Sequence, residues 1–227
     1  MYTIKLNPKR MSVQIQRLLM MMVAIIVASM TVTACLDDKN DENSEENSTT
    51  VDKDGLTKEI RNIVTDAYLA KFKAIGIEIN GGNKPPNIEG KYLSTPHICI
   101  KSSVPGDSWV GLKMVDAEII FSEQNNAKLT ILTSFNEYSE TGGQTGQGTG
   151  SFITGSGNKF TVFAKMTGAL NGLPIETIDI YSGEITSSGI KNFHSAQMMT
   201  KGNIYTNLPE GEVRLFHDSD GLAERIK

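Results

Sequence analysis

Cysteine is scarce in this chain, with two in 227 residues, and so are histidine, with three, and tryptophan, with one. Two cysteines exclude a disulfide-stapled scaffold and a four-cysteine zinc site. Three histidines do not supply a histidine-rich metal centre. There is no excess of positive charge: 22 basic residues stand against 26 acidic ones, a net of -4. A strong basic field for nucleic acid is therefore absent. The apolar run from Leu18 to Val32 falls short of the roughly 20 residues that a membrane-spanning helix needs. What is present is 39% hydrophobic residues and 21 glycines, an ordinary globular mixture and not that of a disordered or collagen-like chain. The length allows one domain with appendages and excludes a large multidomain enzyme.

The charges are unevenly placed. Residues 1–34 carry Lys5, Lys9, Arg10 and Arg17 and no acid, and the apolar run follows directly. A basic stretch followed by a short apolar run is a secretory signal layout. It ends at Val32-Thr33-Ala34-Cys35, which resembles the lipobox of bacterial lipoproteins. The resemblance implies cleavage before Cys35 and lipid attachment to it. Several acyl chains, each methylene contributing about 0.8 kcal/mol, give a stable membrane anchor. Met11 is a second candidate start with the same signal behind it.

Residues 36–54 hold eight acids and two bases, with only Leu36 and Val51 strongly apolar. Such a segment cannot offset its ordering entropy and reads as a solvated tether. Asp37, Asp38, Asp41 and Glu42 follow the lipidated cysteine in a pattern that resembles the surface-export signal of lipoproteins in the Bacteroidota. Without signal and tether, 16 bases face 18 acids, so the folded part is nearly neutral.

Gly55 to Gly76 shows helical periodicity, with Ile60, Ile63, Val64, Ala67, Phe72 and Ile75 on one face, Thr57 as N-cap and Gly76 past the end. Beyond Ile88 the period becomes two. Strands are predicted over 91–101, 117–123, 128–135, 151–154, 160–166, 176–182, 191–198 and 213–217, separated by turn residues. The glycine- and threonine-rich stretch 140–150 reads as a hairpin loop, either a lid or a bland tip. The expected fold is mainly β: an antiparallel barrel or sandwich of about eight strands preceded by one amphipathic α-helix.

Chemistry is sparse. Cys99 shares a strand face with His97, opposite Ile98 and Ile100. The pair reads as a packing thiol more readily than as a nucleophile and base. The stretch 217–221 resembles part of a calcium loop, but the EF-hand frame fails; Asp218, Asp220 and Glu224 could make an irregular cation site, and an Asx-type turn is the simpler reading. Gly155-Ser156-Gly157 leads into a strand, so its glycines serve a turn. His194 reads as an exposed strand residue. Trp109 sits among turn residues as either a rim aromatic that stacks a ligand or a plug for one end of the barrel. No catalytic residue, cofactor or metal site is expected.

Four segments carry a wider resemblance. They are Ile88-Glu89-Gly90-Lys91-Tyr92, the stretch 155–162, the stretch 181–186 with 189–193, and the stretch 213–223. Together they resemble lipoproteins of the Bacteroidales with a calycin-like, lipocalin-like barrel. Tyr92 stands where lipocalins carry the tryptophan of a Gly-x-Trp motif. The resemblance implies location and fold, and no activity. The expected organisation is a signal peptide over 1–34, a lipidated acidic tether over 35–54, a helix and linker over 55–84 and a β-barrel over 85–227. The expected function is an outer-membrane, surface-exposed lipoprotein that binds a small molecule without catalysis. Its partners would be the membrane, through Cys35, a small-molecule ligand and an outer-membrane protein, with no nucleic acid. The alternative is a structural or interaction subunit without a ligand cavity.

Overall fold

The computed structural model describes residues 49–137 and 143–227. The signal sequence, Cys35, Asp37, Asp38, Asp41 and Glu42 lie outside the described residues. Among the described residues, no helix is long and apolar enough to cross a membrane.

The helical stretch forms as α1 (Lys58–Ile63) and α2 (Asp66–Ile75). Thr57 caps α1 by accepting from the Ile60 N–H, as its position predicts. The stretch divides at Val64, whose backbone is extended, and Thr65 then caps a new helix through the Tyr68 N–H. A threonine that accepts a helix-start N–H satisfies a donor that a continuous helix would have paired internally. Gly76 closes α2 with a left-handed φ of 102°, a conformation open to glycine at little cost.

Ten strands follow: β1 (Gly90–Ser94), β2 (His97–Ser102), β3 (Ala117–Asn125), β4 (Thr130–Glu137), β5 (Gln144–Ser156), β6 (Lys159–Leu170), β7 (Leu173–Ile185), β8 (Gly189–Lys201), β9 (Val213–Asp218) and β10 (Leu222–Ile226). All pairings between them are antiparallel, and the β10–β8 pairing closes a ring of eight strands, namely β1, β3 to β8 and β10. The expected mainly-β antiparallel barrel is therefore the fold.

Two of the wall positions are shared by interrupted strands. β8 pairs with β10 through Gly189–Lys191 and with β9 through His194–Met198. β1 likewise pairs with β10, and β2 with β9. The single strand expected over 91–101 is thus broken at Thr95-Pro96, where proline cannot donate to the ladder. β10 was not expected at all: Leu-Ala-Glu-Arg-Ile is short and weakly alternating.

The glycine-rich stretch is also corrected. Residues 144–150 are the first half of β5, paired to β4 and β6, and not a loop. Backbone ladders need no apolar side chains, and the partner strand β6 contributes a glycine of its own at Gly168. A Cβ at Gly168 would strike the Thr145 carbonyl oxygen across the β5–β6 pair. A bulge at Gly148/Gly150 adds local twist.

Alternation sorts β6 cleanly. Phe160, Val162, Ala164 and Met166 fill the barrel interior with Tyr92, Phe121, Ile153 and Tyr181. Phe163, from the opposite face, packs outside with Ile60, Phe72, Ile178, Met198 and Leu215. The helices cover this part of the wall, α1 over β6 and α2 over β9. Strands β6 to β9 are therefore buried on both faces, and apolar burial at about 25 cal/mol per Å² holds the helices on. Residues after α2 run to the far end of the barrel, where Ile88 enters the interior. Gln124 holds this segment by donating to Pro86 O and accepting from the Ile88 N–H.

Candidate functional site

The interior is filled for much of its length by aromatic side chains. Tyr92, Phe121, Phe160, Tyr181 and Phe193 contact one another with centroids 5.8 to 6.4 Å apart. Beyond Tyr181, where the β2–β3 and β8–β9 loops meet the β6–β7 hairpin, a cavity of about 50 Å³ remains. That volume accommodates only a few water-sized groups.

β7 places the decisive residue. Its outward face is Ile178 and Ile180, beneath the helices, so its inward face carries Thr177, Asp179 and Tyr181. Asp179 is 3% exposed and lines the cavity. Its Oδ2 accepts the Tyr181 hydroxyl at 3.0 Å. Its Oδ1 is buried with no hydrogen-bond partner among the described residues. Burial pushes its pKa up to about 6, against the opposing pull of Thr177, Tyr181 and Gln197. Burial, and then the adjacent Asp179 charge, raise Tyr181 well above the usual phenol value.

Glu137, at the end of β4, lines the same cavity. Burial pushes it up to about 7, partly opposed by the Gln144 N–H, which donates to Oε2 at 3.3 Å. On the opposite wall, β9 turns Arg214 inward between the outward Val213 and Leu215. Its side chain is 5% exposed and that of its partner Asp107 is 4%. Nε donates to Asp107 Oδ2 at 2.7 Å and Nη2 to Oδ1 at 3.1 Å. The Arg214 hydrogen bond holds Asp107 down to about 2. Fork-to-carboxylate pairing of this kind suits a buried ion pair.

Trp109 is brought to the cavity by this pair. The Asp107 carboxylate accepts the Trp109 backbone N–H at 3.1 Å, and the Arg214 guanidinium lies 4.1 Å from the indole centroid. The tryptophan lines the cavity and packs on a buried cation.

The other sequence candidates fall elsewhere or carry no reactive geometry. Cys99 and His97 are both buried on the inward face, as alternation predicts. They are not bonded to each other. His97 Nδ1 meets Ser94 Oγ at 2.9 Å, and its ring stacks on Phe216 at 5.1 Å. Burial lowers His97 to about 4 and raises the Cys99 thiol to about 11. Both are therefore neutral near pH 7.

Asp218 and Asp220 form Asx turns across the β9–β10 break. Asp218 accepts the Thr95 and Asp220 N–H groups, and Asp220 accepts that of Leu222. Among the described residues, no group of three His, Cys, Asp or Glu side chains is placed to hold a metal. His194 is half-buried, its ring 6.0 Å from that of His217 on the neighbouring strand. Gly157 occupies the β5–β6 turn with φ 64°.

Asp179, Glu137, Asp107 and Arg214 were not singled out by sequence reasoning. One signal for Asp179 was available: a lone carboxylate in the middle of Ile178-Asp179-Ile180-Tyr181, with helix-covered isoleucines on the other face.

Fold and site together define a class: an antiparallel eight-stranded barrel, largely filled, with a small cavity lined by buried ionisable and apolar side chains at the end bearing long connections. No protein-family model matches the chain, and no curated protein or solved structure matches it either.

Proposed function

We propose that this protein is a lipid-anchored cell-surface lipoprotein whose barrel binds a small molecule at its polar end, without turnover. The observation that carries the binding reading is Asp179: a carboxylate oxygen with no partner among the described residues, buried, and lining a cavity. Leaving such a group unpaired costs several kcal/mol. A ligand that pairs it recovers part of that cost. The cavity is too small for a lipid chain, so the ligand, or the part of it that enters, is a small polar group. The anchor and surface placement rest on the Cys35 lipobox, on Asp37, Asp38, Asp41 and Glu42, and on the resemblance to Bacteroidales lipoproteins. Binding without turnover is supported by Cys99 and His97, which pack as neutral groups with separate partners.

The test is native mass spectrometry of the full chain purified from its own cells, with thermal shifts against metabolite extracts. A retained small molecule supports the reading, and none in either measurement contradicts it. A second reading, an interaction subunit, is favoured by the exposed residues Ile204, at 83%, and Tyr205. They are held beside the β6–β7 hairpin by Asn203 Nδ2, which donates to Leu173 O at 2.9 Å. Loss of co-purification in Ile204→Asp, with ligand binding intact, would favour that reading.

A further inference from the structure

The cavity's ligand class follows from which of its charges are already spent. Five ionisable side chains line it: His97 from β2, Glu137 from β4, Asp179 and Tyr181 from β7, and Arg214 from β9. The Arg214 charge is committed to Asp107 through two hydrogen bonds and to the Trp109 ring. The Tyr181 hydroxyl is donated to Asp179 Oδ2, and His97 is bonded to Ser94. What remains uncommitted among the described residues is acceptor capacity on Asp179 Oδ1, and the Glu137 carboxyl lines the same space. An anion would meet two carboxyl groups and, among the described residues, no free cation. Apolar walls complete the space: Leu170, Leu208, Phe135 and Met199.

We propose that the end cavity is a subsite for a small organic cation, an alkylammonium group that donates to Asp179 Oδ1 with its stem against Leu170 and Leu208. The inference rests on the small-ligand reading above and names its chemistry. It explains how a buried carboxylate is tolerated: the cation supplies an opposite charge and a donor for Oδ1. The raised values of Asp179 and Glu137 add a direction. Both must give up protons to attract the cation, so affinity rises as pH increases through the range from 5 to about 7.5. Tyr181, raised by burial, and His97, lowered by burial to about 4, do not change charge across that range.

The experiment compares n-butylammonium, n-butanol and butyrate as probes. Each is titrated into the full chain in non-ionic detergent by calorimetry, for wild type and Asp179→Asn. The expected result is binding of butylammonium alone, weakened about tenfold or more in Asp179→Asn, the loss of one charge-assisted hydrogen bond. Should that variant not fold, carboxyl carbon NMR of wild type replaces it: saturating butylammonium should lower the Asp179 titration midpoint. Butanol or butyrate binding as tightly as butylammonium overturns the proposal, as does an unmoved Asp179 midpoint or no butylammonium binding. A neutral or anionic molecule retained in native mass spectrometry would leave the small-ligand reading standing and remove only the cation. Retention of nothing would remove both.

Discussion

The hydroxyl of Tyr181 donates to Asp179 Oδ2 at 3.0 Å, two residues apart on the inward face of one strand. The bond joins the two halves of the interior. The Tyr181 ring belongs to the aromatic filling, and the carboxylate it holds opens the polar cavity. Position 181 therefore ends the packed core and begins the site.

The first prediction concerns pH. The Asp179 pKa is about 6 in the fold against 3.8 as a free side chain. The native state therefore holds the extra proton between those values, and stability falls as pH rises through that window. The cost is complete above about pH 6 and amounts to about 3 kcal/mol. Asp179→Asn removes it. The variant should melt above wild type at pH 8, with the difference shrinking toward pH 4. His97 and His217 are lowered by burial and act in the opposite direction, so the difference between the two proteins is the quantity to measure.

A second prediction concerns the buried ion pair. Asp107→Ala leaves the Arg214 guanidinium buried without its carboxylate, at a cost of about 3–5 kcal/mol. Trp109 loses the acceptor for its backbone N–H in the same change. Denaturant unfolding should show the loss, and Trp109 fluorescence should shift to longer wavelength in the native state.

Cys99 gives a third. A buried thiol held up to about 11 does not react as a thiolate. In the native chain it should resist Ellman's reagent at pH 8 and react only at the global unfolding rate. Rapid native reaction would show that β2 opens locally.

A fourth concerns the helices. Phe72 is fully buried against the outer wall. Phe72→Ala should cost about 3–5 kcal/mol by cavity formation. Hydrogen exchange should rise in α1 and α2 ahead of the barrel strands, because the aromatic interior contributes nothing to the helices' outer contacts.

The lipid anchor gives the fifth. Cys35→Ser should abolish incorporation of a palmitate analogue and release the chain from the membrane fraction. Continued incorporation would contradict the lipobox reading.

The barrel was legible where side chains alternate over an apolar interior, as in β6, and where turn residues stand between strands. It was not legible in the first half of β5, where glycine, threonine and glutamine pair through backbone alone. Nor was it legible in β10, which is five residues long and held by two neighbours. The helix faces were legible, but the break at Val64-Thr65 depends on a cap that competes with continuation. The site was mostly hidden. In β7 the isoleucine face looks like the interior, and only the covering helices reverse that assignment and turn Asp179 inward. Arg214 and Asp107 are 107 residues apart, and pattern alone does not pair them. Trp109 was legible as a candidate because a tryptophan among turn residues needs a surface to pack on.

The most direct test is side-chain shift mapping by NMR with the molecule that native mass spectrometry recovers. If ligand binds in the end cavity, the Asp179 carboxyl carbon and the Trp109 indole N–H both move on titration, while Phe121 and Phe193 deeper in the barrel do not. Shifts confined to Ile204 and Tyr205 on the exposed rim, with Asp179 unmoved, would contradict the account.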